Sequence, residues 1–253
     1  MTKIGLSLSG GGIRAVAHLG VVEVLERAGV EAEMVAGSSG GALVGALLCD
    51  GKSPPEILSL IEEVRLWDIF RGSGRGGLFA LDRLRQVLQS HLSVENIEDL
   101  ETDFTVACTD LAGGEIHYFD KGPAAELCIA SSSLVPIFSP VRYGDLLLAD
   151  GGFMDNMPVR PMLGCGLPVV GVNVNPILPR KPDSVVRTTA RALVLMMAAN
   201  IEASRSLTDF YIEPVDCAAI NIFDLTKARE AYEAGKRAAE SALPKLLDTF
   251  SAL

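Results

Sequence analysis

Ser39 stands at the centre of Gly37-Ser38-Ser39-Gly40-Gly41, a G-x-S-x-G arrangement that follows the apolar run EMVA and precedes ALVGALL. A serine held in a sharp strand-to-helix turn presents its Oγ at a helix N-terminus, and small neighbours leave room for a substrate. That is the placement of a nucleophile aimed at a carbonyl carbon. A hydroxyl needs a base to take its proton. The only histidines are His18, His91 and His117, and the order serine, acid, histidine requires a late histidine that this chain lacks. An Asp110–His117 pair serving Ser39 is one arrangement open to the sequence. The other base candidate is Asp150 in Leu147-Leu148-Ala149-Asp150-Gly151-Gly152. An acid at the end of an apolar strand lies at a sheet mouth where ligands collect, although Asp-Gly is also a common turn dipeptide.

A second glycine cluster, Ser9-Gly10-Gly11-Gly12-Ile13-Arg14, also joins a strand-like run to a helix-like one. Glycines let the backbone aim several N–H groups at one point, and the positive end of the following helix adds to an anion site. Gly10-x-Gly12-x-x-Ala15 also matches a dinucleotide fingerprint. That reading requires an acid at the end of the second strand; Glu31 and Glu33 are read as preceding it, so the match is weak.

The elements that must position these residues alternate between short strands and amphipathic helices, which predicts a three-layer α/β/α fold with a mainly parallel central sheet. Strands are read at residues 4–8, 34–36, 104–108, 116–119, 146–149 and 168–174. Helices are read at 13–28, 40–48, 54–64, 81–91, 187–207 and 226–243, and a hairpin-like turn at 111–114. The stretch WDIFRGSGRGGLFA reads as a flexible loop. Its flanking Trp67, Ile69, Phe70, Leu78 and Phe79 are lid candidates, and Val194, Met196, Met197 and Ile201 form a second apolar group, with ordinary core the competing reading for both. No repeat or long linker divides the chain, so residues 1–253 are expected to form one domain.

Composition narrows the function classes. Of the 253 residues, 49% are hydrophobic and 21% charged, enough for a large core, and the net charge of −10 repels phosphate backbones. Nucleic acid is therefore not an expected partner. The runs LLCD, VACTD, ELCIA and LGCGLP hold four of the five cysteines, which predicts buried reduced thiols and a cytoplasmic setting. The N-terminus lacks a long apolar h-region. The longest uncharged stretch, residues 161–179, contains four prolines and two asparagines and does not read as a spanning helix. A mean hydropathy of +0.32 leaves peripheral contact with the inner membrane surface as an expectation. His, Cys and carboxylates do not cluster at ligand spacings, so no metal site is read. The oligomeric state has no signature in the sequence.

Together these segments resemble the patatin-like phospholipases, specifically the compact bacterial members. The resemblance rests on Gly10-Gly11-Gly12-Ile13-Arg14, on Gly37-Ser38-Ser39-Gly40-Gly41, on the run from Ala130 to Pro140, on Asp150-Gly151-Gly152, on Thr109-Asp110 with Gly113-Gly114-Glu115, and on Ile212-Glu213-Pro214. It implies that Ser39 is the nucleophile and Asp150 its base, and that the amides of Gly10, Gly11 and Gly12 form an oxyanion hole. Arg14, Gly37, Gly41, Gly151 and Gly152 would take supporting positions. It also implies a lipid or acyl-ester substrate, no cofactor and no calcium requirement. A nucleotide-binding protein and a non-catalytic regulatory adaptor on the same fold are the alternatives.

Overall fold

The computed structural model describes residues 1–64, 71–72, 79–179 and 181–251. In chain order the strands are β1 (Thr2–Leu8), β2 (Val30–Ser38), the short pair β3 (Arg71–Gly72) and β4 (Phe79–Ala80), β5 (Asp103–Asp110), β6 (Glu115–Phe119), β7 (Val141–Tyr143), β8 (Leu146–Asp150), β9 (Val169–Val172) and β10 (Phe210–Ile212). The helices are α1 (Val16–Arg27), α2 (Gly40–Cys49), α3 (Pro54–Glu63), α4 (Asp82–His91), α5 (Ala124–Ser131), α6 (Val185–Arg205) and α7 (Ala228–Ser251).

Strands β10, β9, β1, β2 and β5 lie side by side, all parallel. Parallel strands need helical crossovers, which cover the sheet and make its central strands apolar throughout. From Gly5 onward β1 is buried on both faces. One face carries the main core, in which Leu6, Leu8 and Val35 meet side chains of α1, α2, α5 and α7. Helices α1 and α7 cross so closely that a Cβ on Gly20 or Gly235 would overlap the partner's backbone. The opposite face is thinner, with Ala36 and Val169 packed against Met157, Val159, Met162 and Ile201.

The far end of the sheet sets up the chemistry. Strand β6 runs antiparallel along one edge of β5 from Val106 to Asp110. The opposite edge is shared by two strands. Strand β2 pairs with it up to Ser38 opposite Ala107, and β8, running the other way, ends with Asp150 opposite Cys108. The two strands approach each other head-on and stop at consecutive residues of β5.

Several elements differ from the sequence reading. Strand β2 starts at Val30 rather than Met34, so Glu31 and Glu33 lie inside the strand, with Glu33 at a register shift and paired to Lys3. The predicted first helix begins with a 3-10 turn, Gly12–Ala15. Helix α5 carries no amphipathic period because nearly all its residues are buried. Helix α7 continues through Pro244 to Ser251. Of the predicted buried thiols Cys165 is exposed, while Cys217, which lies outside the apolar runs, is buried; all five cysteines are free. Trp67, Ile69, Phe70 and Leu78 lie outside the described residues. Phe79 belongs to β4, and its backbone bridges to that of Phe138.

Candidate active site

Strand β2 delivers Ser39 into a turn that ordinary residues avoid. Ser39 has φ 51° and ψ −125°, the one positive φ among the described non-glycine residues. Such a conformation costs on the order of 1–3 kcal/mol and persists only where the surroundings enforce it. Here the Ser39 amide donates to Ser131 Oγ at 2.8 Å, and that hydroxyl donates to the Ala107 carbonyl at 2.6 Å. Close packing does the rest. A Cβ on Gly37 would come within 2.7 Å of the Gly41 carbonyl oxygen, and one on Gly41 would overlap the Leu8 carbonyl.

The head-on meeting of β2 and β8 places Asp150 against this turn. Ser39 Oγ donates to Asp150 Oδ2 at 2.7 Å, and the other carboxylate oxygen accepts from the Gly152 amide at 2.8 Å. Asp150 is 1% exposed, and burial pushes its pKa up to about 6, against the opposing effect of those two hydrogen bonds. A Cβ on Gly151 would overlap the Ala107 carbonyl, so the chain can pass β5 only as glycine.

The loop after Asp150 is tied to α6. Asn200 accepts from the Asn156 amide and donates to the Gly152 carbonyl, both at 2.9 Å. Asp155 accepts from Ser204 Oγ at 3.1 Å and from the Tyr118 hydroxyl at 2.6 Å.

The N-terminal glycine loop lies beside Ser39. Its peptide planes are fixed from several sides: the Ser9 carbonyl accepts from His18 Nε2 at 2.8 Å, and the Gly10 carbonyl accepts from Asn175 Nδ2. The Gly10 amide donates to the Asn156 carbonyl at 3.0 Å and is therefore engaged within the protein. The amides of Gly11 and Gly12 donate to no group among the described residues. Gly12 has φ 56°, and a Cβ there would overlap the Ile222 carbonyl. Arg14 donates from Nε to the Ile220 carbonyl at 2.7 Å; with the Ile13 amide bonded to Ile222, it anchors residues 220–222 over the loop.

No histidine serves Ser39. His18 is buried beneath the glycine loop and stays neutral, because burial lowers its pKa to about 4. His117 lies on β6 stacked with Phe119. Asp110 instead accepts from the backbone of Ala112, Gly113 and Leu147. The dinucleotide reading fails on geometry as well, since β2 ends in Gly37-Ser38 with no acid.

From Ser39 and Asp150 an apolar cavity of about 210 Å³ runs along α2, between the C-terminal part of α3 and one face of α4. Leu43, Leu47, Ile61 and Leu88 line it, with His91 as a polar group beside α4's last turn and Phe223 at the side. Sequence reasoning missed this channel, and it missed Ser131, Asn156 and Asn200, whereas His18 reads from its place in the first helix as a packed or capping histidine and is one. Only Ser131 carried a signal, as part of the Ala130–Pro140 run.

A family model described as patatin-like phospholipase matches residues 6–163, more than half of the chain. An NTE family protein of Mycobacterium tuberculosis is 28% identical over 218 residues, which cover 82% of this chain and 60% of that protein. Lysophospholipase NTE1 of Candida albicans is 27% identical over 206 residues, 76% of this chain but 14% of its own length. The chain thus spans at most about 60% of these relatives. The crystal structure of VipD from Legionella pneumophila superposes with a TM-score of 0.62 at 15% identity, over 96% of this chain and 67% of that one, a likeness of fold.

Proposed function

Since the chain belongs to the patatin-like phospholipase family, we propose that it is a serine lipid acyl hydrolase working through a Ser39–Asp150 dyad. The observation that carries this reading is the 2.7 Å hydrogen bond from Ser39 Oγ to a buried carboxylate at the head of an apolar channel. Asp150 Oδ2 takes the hydroxyl proton as Oγ attacks the ester carbonyl. The Gly11 and Gly12 amides receive the developing oxyanion, each good donor contributing roughly 3–4 kcal/mol to the transition state. Gly10 has its amide committed to Asn156 and serves by close approach: a Cβ there would come within 2.8 Å of Ser39 Cβ. Asp150 returns the proton to the leaving alkoxide. It then activates a water that releases the fatty acid and restores Ser39.

The substrate reading follows from the channel. Its lining is almost wholly aliphatic, so it suits an acyl chain and leaves a polar head group outside. We place the enzyme in the cytoplasm, on its free cysteines, with lipid reached at the inner membrane surface. Among the described residues no helix is long and apolar enough to cross a membrane.

The direct test is covalent. A fluorophosphonate should label the wild-type protein, with the mass increment on the peptide that contains Ser39, and the protein should hydrolyse p-nitrophenyl butyrate and a lysophospholipid. Labelling elsewhere, or none, removes Ser39 from the mechanism.

The channel yields a separate expectation. Leu47 lies eight residues beyond Ser39 along α2, about 12 Å at the rise of an α-helix. Leu47→Trp should leave butyrate turnover within about threefold of wild type and reduce turnover of the palmitate ester at least tenfold; the overpacking should cost about 1–3 kcal/mol of stability. Parallel loss on both esters would place the acyl chain outside this channel.

A further inference from the structure

We propose that the outer face of α6 is a docking surface for an anionic lipid bilayer. This deepens the lipid-hydrolase reading by naming the surface through which substrate would be reached. The helix exposes large apolar side chains at its first and fourth turns: Val185 is 84% exposed, Met196 66% and Leu195 44%, and Leu178 in the preceding segment is 56% exposed. An exposed apolar patch of this kind marks a contact surface rather than a solvated helix face.

Charge identifies the occupant. Among the described residues the segment 176–201 carries the cations Lys181 and Arg191 against the single acid Asp183, a local excess of positive charge on a chain whose net charge is −10. A second copy of this protein would bring a strongly acidic body to the patch, but its matching face would be the same basic one. An anionic bilayer meets both features at once, taking the apolar side chains at the headgroup boundary and the cations at the phosphates. The helix lies where such contact would matter. Its inner face touches the loop that carries the base, through Asn200 on Gly152 and Asn156, and a Cβ on Gly152 would overlap Met197 Cε.

The experiment is flotation of the full chain with vesicles of ether-linked lipids, which hold no acyl ester to hydrolyse. Vesicles of phosphatidylglycerol and phosphatidylcholine in equal parts should carry the protein, whereas pure phosphatidylcholine vesicles, or about 0.5 M salt, should weaken binding at least about tenfold. The double variant Leu195→Glu/Met196→Glu should bind the anionic vesicles at least about tenfold more weakly, with its thermal melt unchanged because both side chains already face water.

Failure of the wild-type protein to float, or equal flotation of the variant, overturns the proposal. So does a wild-type dimer in sedimentation that the variant dissociates, with no vesicle binding; that result makes the face a contact between copies. Turnover of p-nitrophenyl butyrate is read separately. If the protein floats as expected but cleaves no ester, the hydrolase reading fails and the docking surface stands.

Discussion

Ser39→Ala is expected to lower turnover of p-nitrophenyl butyrate by at least about 10⁴-fold while leaving the circular dichroism spectrum unchanged, because the residues of a nucleophile–base unit fail together when one is removed. Among the described residues the hydroxyl bonds to Asp150 alone, so little else depends on it. The backbone adds a second effect. A serine at φ 51° is strained, and alanine inherits that strain, whereas glycine populates this region freely. Ser39→Gly should therefore be equally inactive but more stable than Ser39→Ala, by about 1 kcal/mol. A glycine variant no more stable than the alanine variant in chemical denaturation would mean the turn is relaxed. Retained turnover in either would transfer the nucleophile's role elsewhere.

Asp150→Asn should remove activity to a similar extent and, at neutral pH, stabilise the protein. Burial holds the folded carboxyl at about 6 against an ordinary 3.8, so the folded state binds the proton more tightly than the unfolded chain. A group whose pKa is raised on folding gives its full stabilisation below the unfolded value and loses it as pH rises through the folded one. Above about pH 6 the wild-type protein thus carries a buried charge whose cost is on the order of 3 kcal/mol. Asparagine keeps the shape and a carbonyl acceptor for the Gly152 amide without the charge. The variant's melting temperature should exceed that of wild type by several degrees at pH 7.5, and the gap should close as the pH falls below about 3.8. That outcome would show activity bought with stability at one buried oxygen pair. The same ionisation predicts that wild-type kcat/KM falls tenfold per unit below about pH 6, where the base is protonated. An Asp150→Asn variant less stable than wild type at pH 7.5, or a flat rate profile between pH 5 and 7, would mean that the carboxylate is not held in this environment.

The parts of the site that were legible in the sequence are those fixed by local backbone chemistry. Gly37-Ser38-Ser39-Gly40-Gly41 between an apolar strand and an apolar helix, and Asp150 at the end of LLLAD, each declare themselves within a few residues. Strands β1 and β2 were legible for the same reason, as apolar runs that lead into glycine turns. What stayed hidden depends on partners distant in sequence. Nothing near Gly10 reveals that its amide is engaged by Asn156, so the three glycines looked equivalent as donors, although only the other two keep amides unbonded among the described residues. Helix α5 escaped because burial on all sides erases the 3.6-residue period. Strands β7 and β10, three residues each, are too short for an alternating pattern to emerge. The channel is a property of three helix faces and a loop, and no one of them encodes it.

The meeting of β2 and β8 on one edge of β5 says something about which parts of this chain are free to change length. Ser39 and Asp150 lie 111 positions apart, yet their separation in space is set by two neighbouring residues, Ala107 and Cys108. Strand pairing is discrete: a slip of one residue turns every side chain to the opposite face, so the dyad is either in register or lost. The loops before β5, the β5–β6 turn and the segment leading into β8 can lengthen or shorten without altering that spacing. An insertion within β5 itself would separate serine from aspartate while leaving both motifs intact in the sequence. For grafting this chemistry onto another sheet, the unit to transfer is three strand ends and their register, not two residues and the distance between them.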